Sequence, residues 1–139
     1  MAEEGQERLT LELIGPERVY YEVKEADQII AESLNGEFSI MPGHTSLMAA
    51  LRTGKCIAVR GDGKRKFALH GGMLEVRKDR VRVLTPAAEE GKDIDRERAR
   101  RALERAKKRI EAKEKDLDMA RARAALERAM NRLRVADLS

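Results

Sequence analysis

The sequence predicts an α+β fold, with an N-terminal all-β sandwich followed by a C-terminal antiparallel hairpin of two helices. All ten Gly and all three Pro lie within residues 1–91, whereas residues 92–139 contain ten Ala and sixteen Lys or Arg. Because Gly and Pro interrupt helices and mark turns, the first part is expected to consist of short elements and the second of continuous helix. We therefore predict a sandwich domain over 1–86, a linker over 87–92 and a two-helix domain over 93–139.

Strands are predicted wherever apolar and polar residues alternate, since successive side chains of a strand point to opposite faces. The alternating apolar residues are Leu9, Leu11 and Leu13, then Val19, Tyr21 and Val23, and finally Val81 and Val83. Turn sequences separate the segments at Gly15-Pro16, Asn35-Gly36, Pro42-Gly43, Gly61-Asp62-Gly63 and Lys78-Asp79. Short strands with turns at such intervals are typical of a sandwich or barrel. Asp62-Gly63 indicates the clearest hairpin.

The apolar period changes to a helical one after Pro86. One stripe contains Ile94, Ala99, Ala102, Leu103, Ala106 and Ile110, and a second contains Leu126, Met130 and Leu133. Asp93 or Asp95 can cap the first helix. The only later interruption is Asp116-Leu117-Asp118, where an aspartate can cap a second helix.

This interruption is weak, so the helical region has two possible conformations. A continuous helix over 94–136 would be a rod of about 65 Å, whereas a turn at Asp116 gives the hairpin. Alanine side chains allow two helices to approach closely but bury little apolar area each, so the hairpin gains only a modest stabilisation. We therefore predict that the folded and extended states differ by only a few kcal/mol.

Charge also divides the chain into two parts. Residues 1–91 carry 13 basic and 15 acidic side chains, a net charge of −2, whereas residues 92–139 carry 16 and 10, a net charge of +6. The helical part is therefore expected to meet an anionic partner. Cys56 is the only cysteine, which fits a small core residue in the reducing cytoplasm. Neither a signal peptide nor a membrane span is predicted, so any membrane association would be through partners.

The sequence lacks the residue patterns of a catalytic site. It has no Gly-rich phosphate loop with a Lys, no nucleophile elbow and no paired Cys, and His44 and His70 lack metal-ligand spacing. We therefore expect neither an enzyme nor a metal site. A basic nucleic-acid-binding module is an alternative for the helical part. Ten interspersed acidic residues and the absence of aromatic residues after residue 91 disfavour it.

Three segments in this order resemble the epsilon subunit of bacterial F-type ATP synthases, and the resemblance covers essentially the whole chain. They are 36–45 (GEFSIMPGHT), 71–76 (GGMLEV), whose paired glycines also predict a bulge or a close backbone contact, and 89–99 (EEGKDIDRERA). The resemblance implies a non-catalytic central-stalk subunit that couples rotation and inhibits ATP hydrolysis through a C-terminal helical switch. It implies the gamma subunit, the c-ring and the alpha/beta catalytic head as partners, and a peripheral location at the cytoplasmic face of the bacterial cell membrane.

The segment 94–99 fits the I/L-D-x-x-R-A motif of that family, which is associated in some bacterial members with ATP binding to the folded helix pair. The resemblance therefore implies ATP as a regulatory ligand, with or without magnesium, at Ile94, Asp95, Arg98 and Ala99, and at Arg128 and Arg132, whose surrounding run also resembles the ATP-responsive members. Glu89 and Arg105 are added as candidate ATP contacts on the chemistry of their side chains. The residue types suit this ligand, because guanidinium groups bind polyphosphate oxygens and carboxylates accept hydrogen bonds from an adenine amino group or a ribose hydroxyl. Ile94 and Ala99 would offer apolar contact to the base. A structural stalk subunit without nucleotide sensing is the alternative.

Overall fold

The computed structural model describes residues 8–43, 45–112 and 118–138. The strands are β1 (Leu9–Ile14), β2 (Val19–Ala26), β3 (Gln28–Ser33), β4 (Gly36–Ile40), β5 (Leu47–Arg60), β6 (Gly63–Arg77), β7 (Arg80–Leu84) and β8 (Ala88–Glu90). A 3₁₀ turn at Gly91–Asp93 leads into the helices α1 (Arg96–Ala112) and α2 (Met119–Leu138). The predicted α+β fold, a β-sandwich followed by a helical hairpin, is confirmed.

The strands form one hydrogen-bonded path in the order β2-β1-β7-β6-β5-β3-β4, and β8 pairs with β6 off this path. β1 runs parallel to β7, and the other pairs are antiparallel. β6 pairs with β7 through Met73–Arg77 and with β8 through Phe67–Leu69. β6 therefore links the body of the sandwich to the segment that leads into the helices.

The core lies between the inward faces of these strands. Leu9, Leu11 and Leu13 are fully buried and alternate with less buried residues, as predicted. The alternation predicted for β2 is wrong at its start, because Val19 is 50% exposed. The cause is a register shift between Leu13 and Ile14 against β2. In such a β-bulge two residues of one strand oppose one residue of the other, and the side chains beyond the bulge point to the opposite face of the sheet.

The segment expected to be a linker, 87–92, is mostly regular structure attached to the sandwich. β8 lies on β6, and the Glu90 carboxylate accepts two hydrogen bonds from Arg65, at 3.0 and 2.9 Å. The Glu90 amide donates to the Tyr21 hydroxyl at 3.1 Å. Alternation along a three-residue strand is too short to be recognised in a sequence, which is why composition alone indicated a linker.

Both helices begin at capping aspartates. The Asp95 carboxylate accepts a hydrogen bond from the Arg98 amide at 3.1 Å, and Asp118 accepts from the Arg121 amide at the same distance. Of the two candidates for the first cap, the structure therefore selects Asp95. The other two residues of the predicted interruption, 116 and 117, lie outside the described residues. Within the described residues, no helix combines the length and apolarity needed to cross a bilayer.

The helices lie antiparallel, so the start of α1 is beside the end of α2. Arg96 fixes this arrangement by donating to the Ala136 carbonyl at 2.7 Å and pairing with Asp137 at 3.1 Å. The seam is built from small residues, including buried Ala99, Ala106 and Ala129. The alanine stripe expected from the sequence thus forms the contact between the two helices.

Candidate functional site

Two of the predicted site residues meet where β8 lies beside the end of α2. Arg132 Nε donates to Glu89 Oε1 at 2.5 Å, although the two residues are 43 positions apart. Side chains alternate along a strand, so Glu89 and Glu90 point to opposite faces, and Glu89 faces the helix. The ion pair therefore exists only when α2 is folded back onto the sandwich.

His70 lies beside this pair and was not predicted as a site residue. Its Nε2 is 3.7 Å from Glu89 Oε1, which is too long for a hydrogen bond. Among the described residues, Nε2 is the buried side-chain polar atom without a hydrogen-bond partner. Burial, and then the charge of Arg132, lower the pKa of His70 from 6.5 to about 4; Glu89 opposes this shift and Arg128 adds to it. The imidazole is therefore neutral at neutral pH.

Arg98 and Arg105 lie on α1, and Asp95 immediately precedes it. Asp95 caps the helix, and the side chains of Arg98 and Arg105 are exposed. Arg98 and Arg105 are seven residues apart, about two helical turns or 10 Å. Because the helices are antiparallel, Arg98 is at the same end of the hairpin as Arg132, and half-buried Arg128 follows one turn back along α2. Arg98 and Arg132 thus lie at the same end of the folded hairpin, whereas Arg105 lies about two turns farther along α1.

Ile94 and Ala99 have a packing role in this conformation. Ile94 is buried in a small apolar cluster with Ala68, Val135 and Ala136, and Ala99 is only 3% exposed. This cluster joins the 3₁₀ turn, β6 and the end of α2. Because both side chains are buried, the adenine base of ATP could contact Ile94 or Ala99 only where this apolar cluster meets the surface.

The residues that hold α2 on the sandwich had no strong signal in the sequence. Glu32 of β3 is only 5% exposed, and its carboxylate accepts from Arg52 Nη2 at 2.5 Å, the Lys55 amide at 2.9 Å and Arg134 Nη2 at 3.1 Å. Burial acts to raise the pKa of Glu32, but the hydrogen bonds from Arg52 and Lys55 and the charge of Arg134 outweigh it and hold the pKa below its ordinary value. A charged residue within the apolar strand 28–33 was the available sequence signal.

Asn131 completes this attachment. Its side chain is 3% exposed; Nδ2 donates to the Gly54 carbonyl at 2.9 Å, and Oδ1 accepts from Arg134 at 2.8 Å. A side chain at position 54 would displace the Glu32 carboxylate from this arrangement, because an added Cβ would lie 2.5 Å from one of its oxygens. We call Glu32, Arg52, Asn131 and Arg134 the docking clamp.

Two family models match the chain and together cover almost all of it. ATP synthase, Delta/Epsilon chain, beta-sandwich domain matches residues 8–91, and ATP synthase, Delta/Epsilon chain, long alpha-helix domain matches residues 92–137. The ATP synthase epsilon chain of Brevibacillus brevis is 46% identical over 107 residues, which cover 76% of this chain and 80% of that relative. The epsilon chain of Carboxydothermus hydrogenoformans is 43% identical over 75% of this chain and 77% of its own length.

The fold has also been seen in a solved structure. A chain in the cryo-EM structure of the Euglena gracilis mitochondrial ATP synthase, OSCP/F1/c-ring in rotational state 1, has a TM-score of 0.80 and 22% identity over 95% of this chain and 82% of that chain. At this identity the likeness concerns the fold alone. The resemblance indicated by the three sequence segments is confirmed by the family models and the curated relatives, and the chain belongs to the ATP synthase delta/epsilon chain family.

Proposed function

We propose that this chain, an epsilon-type subunit of the central stalk of a proton-translocating F-type ATP synthase, uses its helical hairpin as a nucleotide-responsive switch. The sandwich would contact the gamma subunit and the c-ring and couple rotation. The helices would permit catalysis when folded and oppose ATP hydrolysis when extended into the alpha/beta head. The chain would then be peripheral at the cytoplasmic face of the bacterial cell membrane, attached only through its partners.

The ion pair between Glu89 and Arg132 carries this proposal. It joins a strand of the sandwich to the end of α2, so it reports the folded hairpin, and both residues belong to the predicted ATP site. The donor set fits a polyphosphate: guanidinium groups of Arg98, Arg105 and Arg132 supply paired donors, and an adenine or ribose needs the acceptors that carboxylates provide. Bound ATP would add acceptor oxygens for the exposed guanidinium groups of Arg98 and Arg105.

ATP would act by selecting the folded state. A ligand shifts a conformational equilibrium only by its difference in affinity for the two states. Extension of the hairpin separates Glu89 from Arg132, so the site is complete only in the folded state. High ATP would therefore favour the folded hairpin and relieve inhibition of hydrolysis.

An ATP titration of the isolated protein by calorimetry, with ADP and GTP as controls, tests the proposal. We expect saturable binding selective for ATP, strongly weakened by Arg98→Ala or Arg132→Ala and abolished by Asp95→Ala combined with Arg98→Ala. Arg109→Ala, which removes an exposed arginine from the last turn of α1, is the matched control and should bind ATP normally.

Asp95→Asn retains a good helix cap and removes the charge of the carboxylate, so it separates the capping role of Asp95 from a role in ligand binding. Unchanged affinity in both Arg98→Ala and Arg132→Ala would remove the site proposal.

A structural stalk subunit without nucleotide sensing is the second candidate. It is favoured by the docking clamp and by the burial of Ile94 and Ala99, which hold the hairpin closed through contacts of the protein itself. The same titration separates the two candidates, because the structural subunit shows no binding up to millimolar ATP.

A further inference from the structure

A neutral imidazole with an unused hydrogen-bonding atom lies within the proposed nucleotide site. The His70 side chain is 8% exposed, and its Nε2 faces the same Glu89 oxygen that accepts the hydrogen bond from Arg132. Buried polar groups normally have partners, and an unpartnered one in a native fold often has a functional reason. Glu89 Oε1 thus has one close donor, Arg132 Nε at 2.5 Å, and His70 Nε2 lies 3.7 Å from the same oxygen.

The charges around His70 come from two elements. Arg132 and Arg128 on α2 disfavour a charged imidazole, and Glu89 on β8 favours it. On the opposite side, the register partner of His70 on β5 is Thr53, which does not titrate near neutral pH. The backbone amide of His70 is already used, since it donates to the Ala87 carbonyl at 3.2 Å. Burial is the largest cause of the lowered pKa of His70, and the balance between Glu89 and the two arginines is what a ligand can change.

We propose that His70 is the alternative partner of Glu89, and that it binds one solvent proton when the phosphate groups of ATP draw Arg132 away from that carboxylate. This inference rests on the proposed ATP binding. In the exchange, the Arg132 Nε–H···Oε1 hydrogen bond breaks and the guanidinium donates to phosphate oxygens. The imidazole takes a proton from water and donates Nε2–H to Glu89 Oε1, so the carboxylate remains paired throughout.

Proton uptake makes nucleotide affinity depend on pH. The free protein holds His70 neutral because the pKa is about 4. Phosphate charge opposes that of Arg132 and Arg128, so the pKa of His70 is higher in the complex and the complex binds more protons than the free protein. Affinity must then rise as the pH falls. If the bound state restores the ordinary value of about 6.5, affinity increases about fourfold between pH 8 and pH 6.

NMR titration of ¹³C-labelled histidine measures the exchange directly. The chain has two histidines, so His44→Gln assigns the spectrum. We expect saturating ATP to raise the pKa of His70 from about 4 to about 6 or above. Calorimetry in buffers of different ionisation enthalpy should show proton uptake at pH 6, and His70→Gln should abolish this uptake. Comparison with His70→Gln also corrects for the protonation of ATP itself.

A pair of variants tests the exchange without nucleotide. Arg132→Gln removes the competing cation and leaves Glu89 as the charge that favours a protonated His70. The pKa of His70 should therefore be higher in Arg132→Gln than in the double variant Arg132→Gln, Glu89→Gln. Equal values in the two proteins would overturn the exchange, whether or not α2 remains docked. ATP binding without proton uptake would also overturn it. Absence of ATP binding would refute the proposed function, and the variant pair would still decide whether His70 and Arg132 compete for Glu89.

Discussion

At the residue scale, the contact between β6 and β7 depends on Gly72. Its φ is +135°, and a Cβ at this position would lie 2.2 Å from the Leu84 carbonyl oxygen of β7. This is the close backbone contact expected from the paired glycines. The same stretch of β6 continues into His70 and the pairing with β8, so the glycine also positions the strand that carries Glu89.

Gly72→Ala is expected to destabilise the sandwich by about 3 kcal/mol or more, because backbone strain at positive φ adds to a steric clash with another strand. Gly36→Ala is the matched control, since Gly36 has a similar φ of +127° but nothing within 4 Å of an added Cβ. The control should cost about 1 kcal/mol. Urea unfolding of both variants measures the difference, and equal losses would contradict the role given to the Leu84 contact.

At the element scale, α2 is held on the sandwich mainly by polar contacts. The docking clamp connects it to β3 and β5, and the apolar contribution from Val135, Ala136 and Ile94 is small. A helix attached in this way is released when its few specific contacts are removed, since each buried polar group left without a partner costs about 1 to 3 kcal/mol. The clamp is therefore expected to set the balance between docked and released hairpin.

Asn131→Ala combined with Arg134→Ala should weaken docking by about 2 kcal/mol, because it leaves the Gly54 carbonyl without its amide donor and removes one cation from Glu32. Spin labels at exposed Lys64 on β6 and Arg123 on α2 should show a second population at longer distance. Cys56 is buried, and burial raises the pKa of its thiol to about 12, so it should not react with the label.

Arg109→Ala, at an exposed position away from the clamp, is the control and should keep the wild-type distance. Labels at Ala99 and Ala129 would be unsuitable, since both side chains are buried in the seam between the helices. One narrow distance distribution in the double variant would show that packing rather than the clamp holds α2.

At the scale of the whole molecule, the proposed nucleotide site would span both domains. Glu89 and His70 belong to the sandwich, whereas Arg128 and Arg132 belong to the hairpin. A ligand that bridges them stabilises the docked arrangement of the two domains rather than either domain alone. Ligand binding is therefore expected to appear as a change in the stability of the assembled chain.

ATP at 100 times its dissociation constant should stabilise the docked protein by about 2.7 kcal/mol, which follows from mass action on the native state. Thermal unfolding followed by circular dichroism should show the helical transition moving to higher temperature. GTP should have little effect, and Asp95→Ala combined with Arg98→Ala should remove the ATP effect. A shift of equal size in that double variant would place the bound nucleotide elsewhere.

The sequence by itself determined the order of the domains, the inward faces of β1 and β7 and the family, and it narrowed each helix cap to a pair of aspartates, because these follow from local periodicity, turn residues and contiguous motifs. It did not reveal β8, the bulge that exposes Val19, the docking clamp or His70. Each of these depends on pairs far apart along the chain, such as Glu32 with Arg134 or Glu89 with Arg132. Only the tertiary structure decided which arginines of the basic helices face the sandwich, because burial and partner charges arise when distant elements pack together.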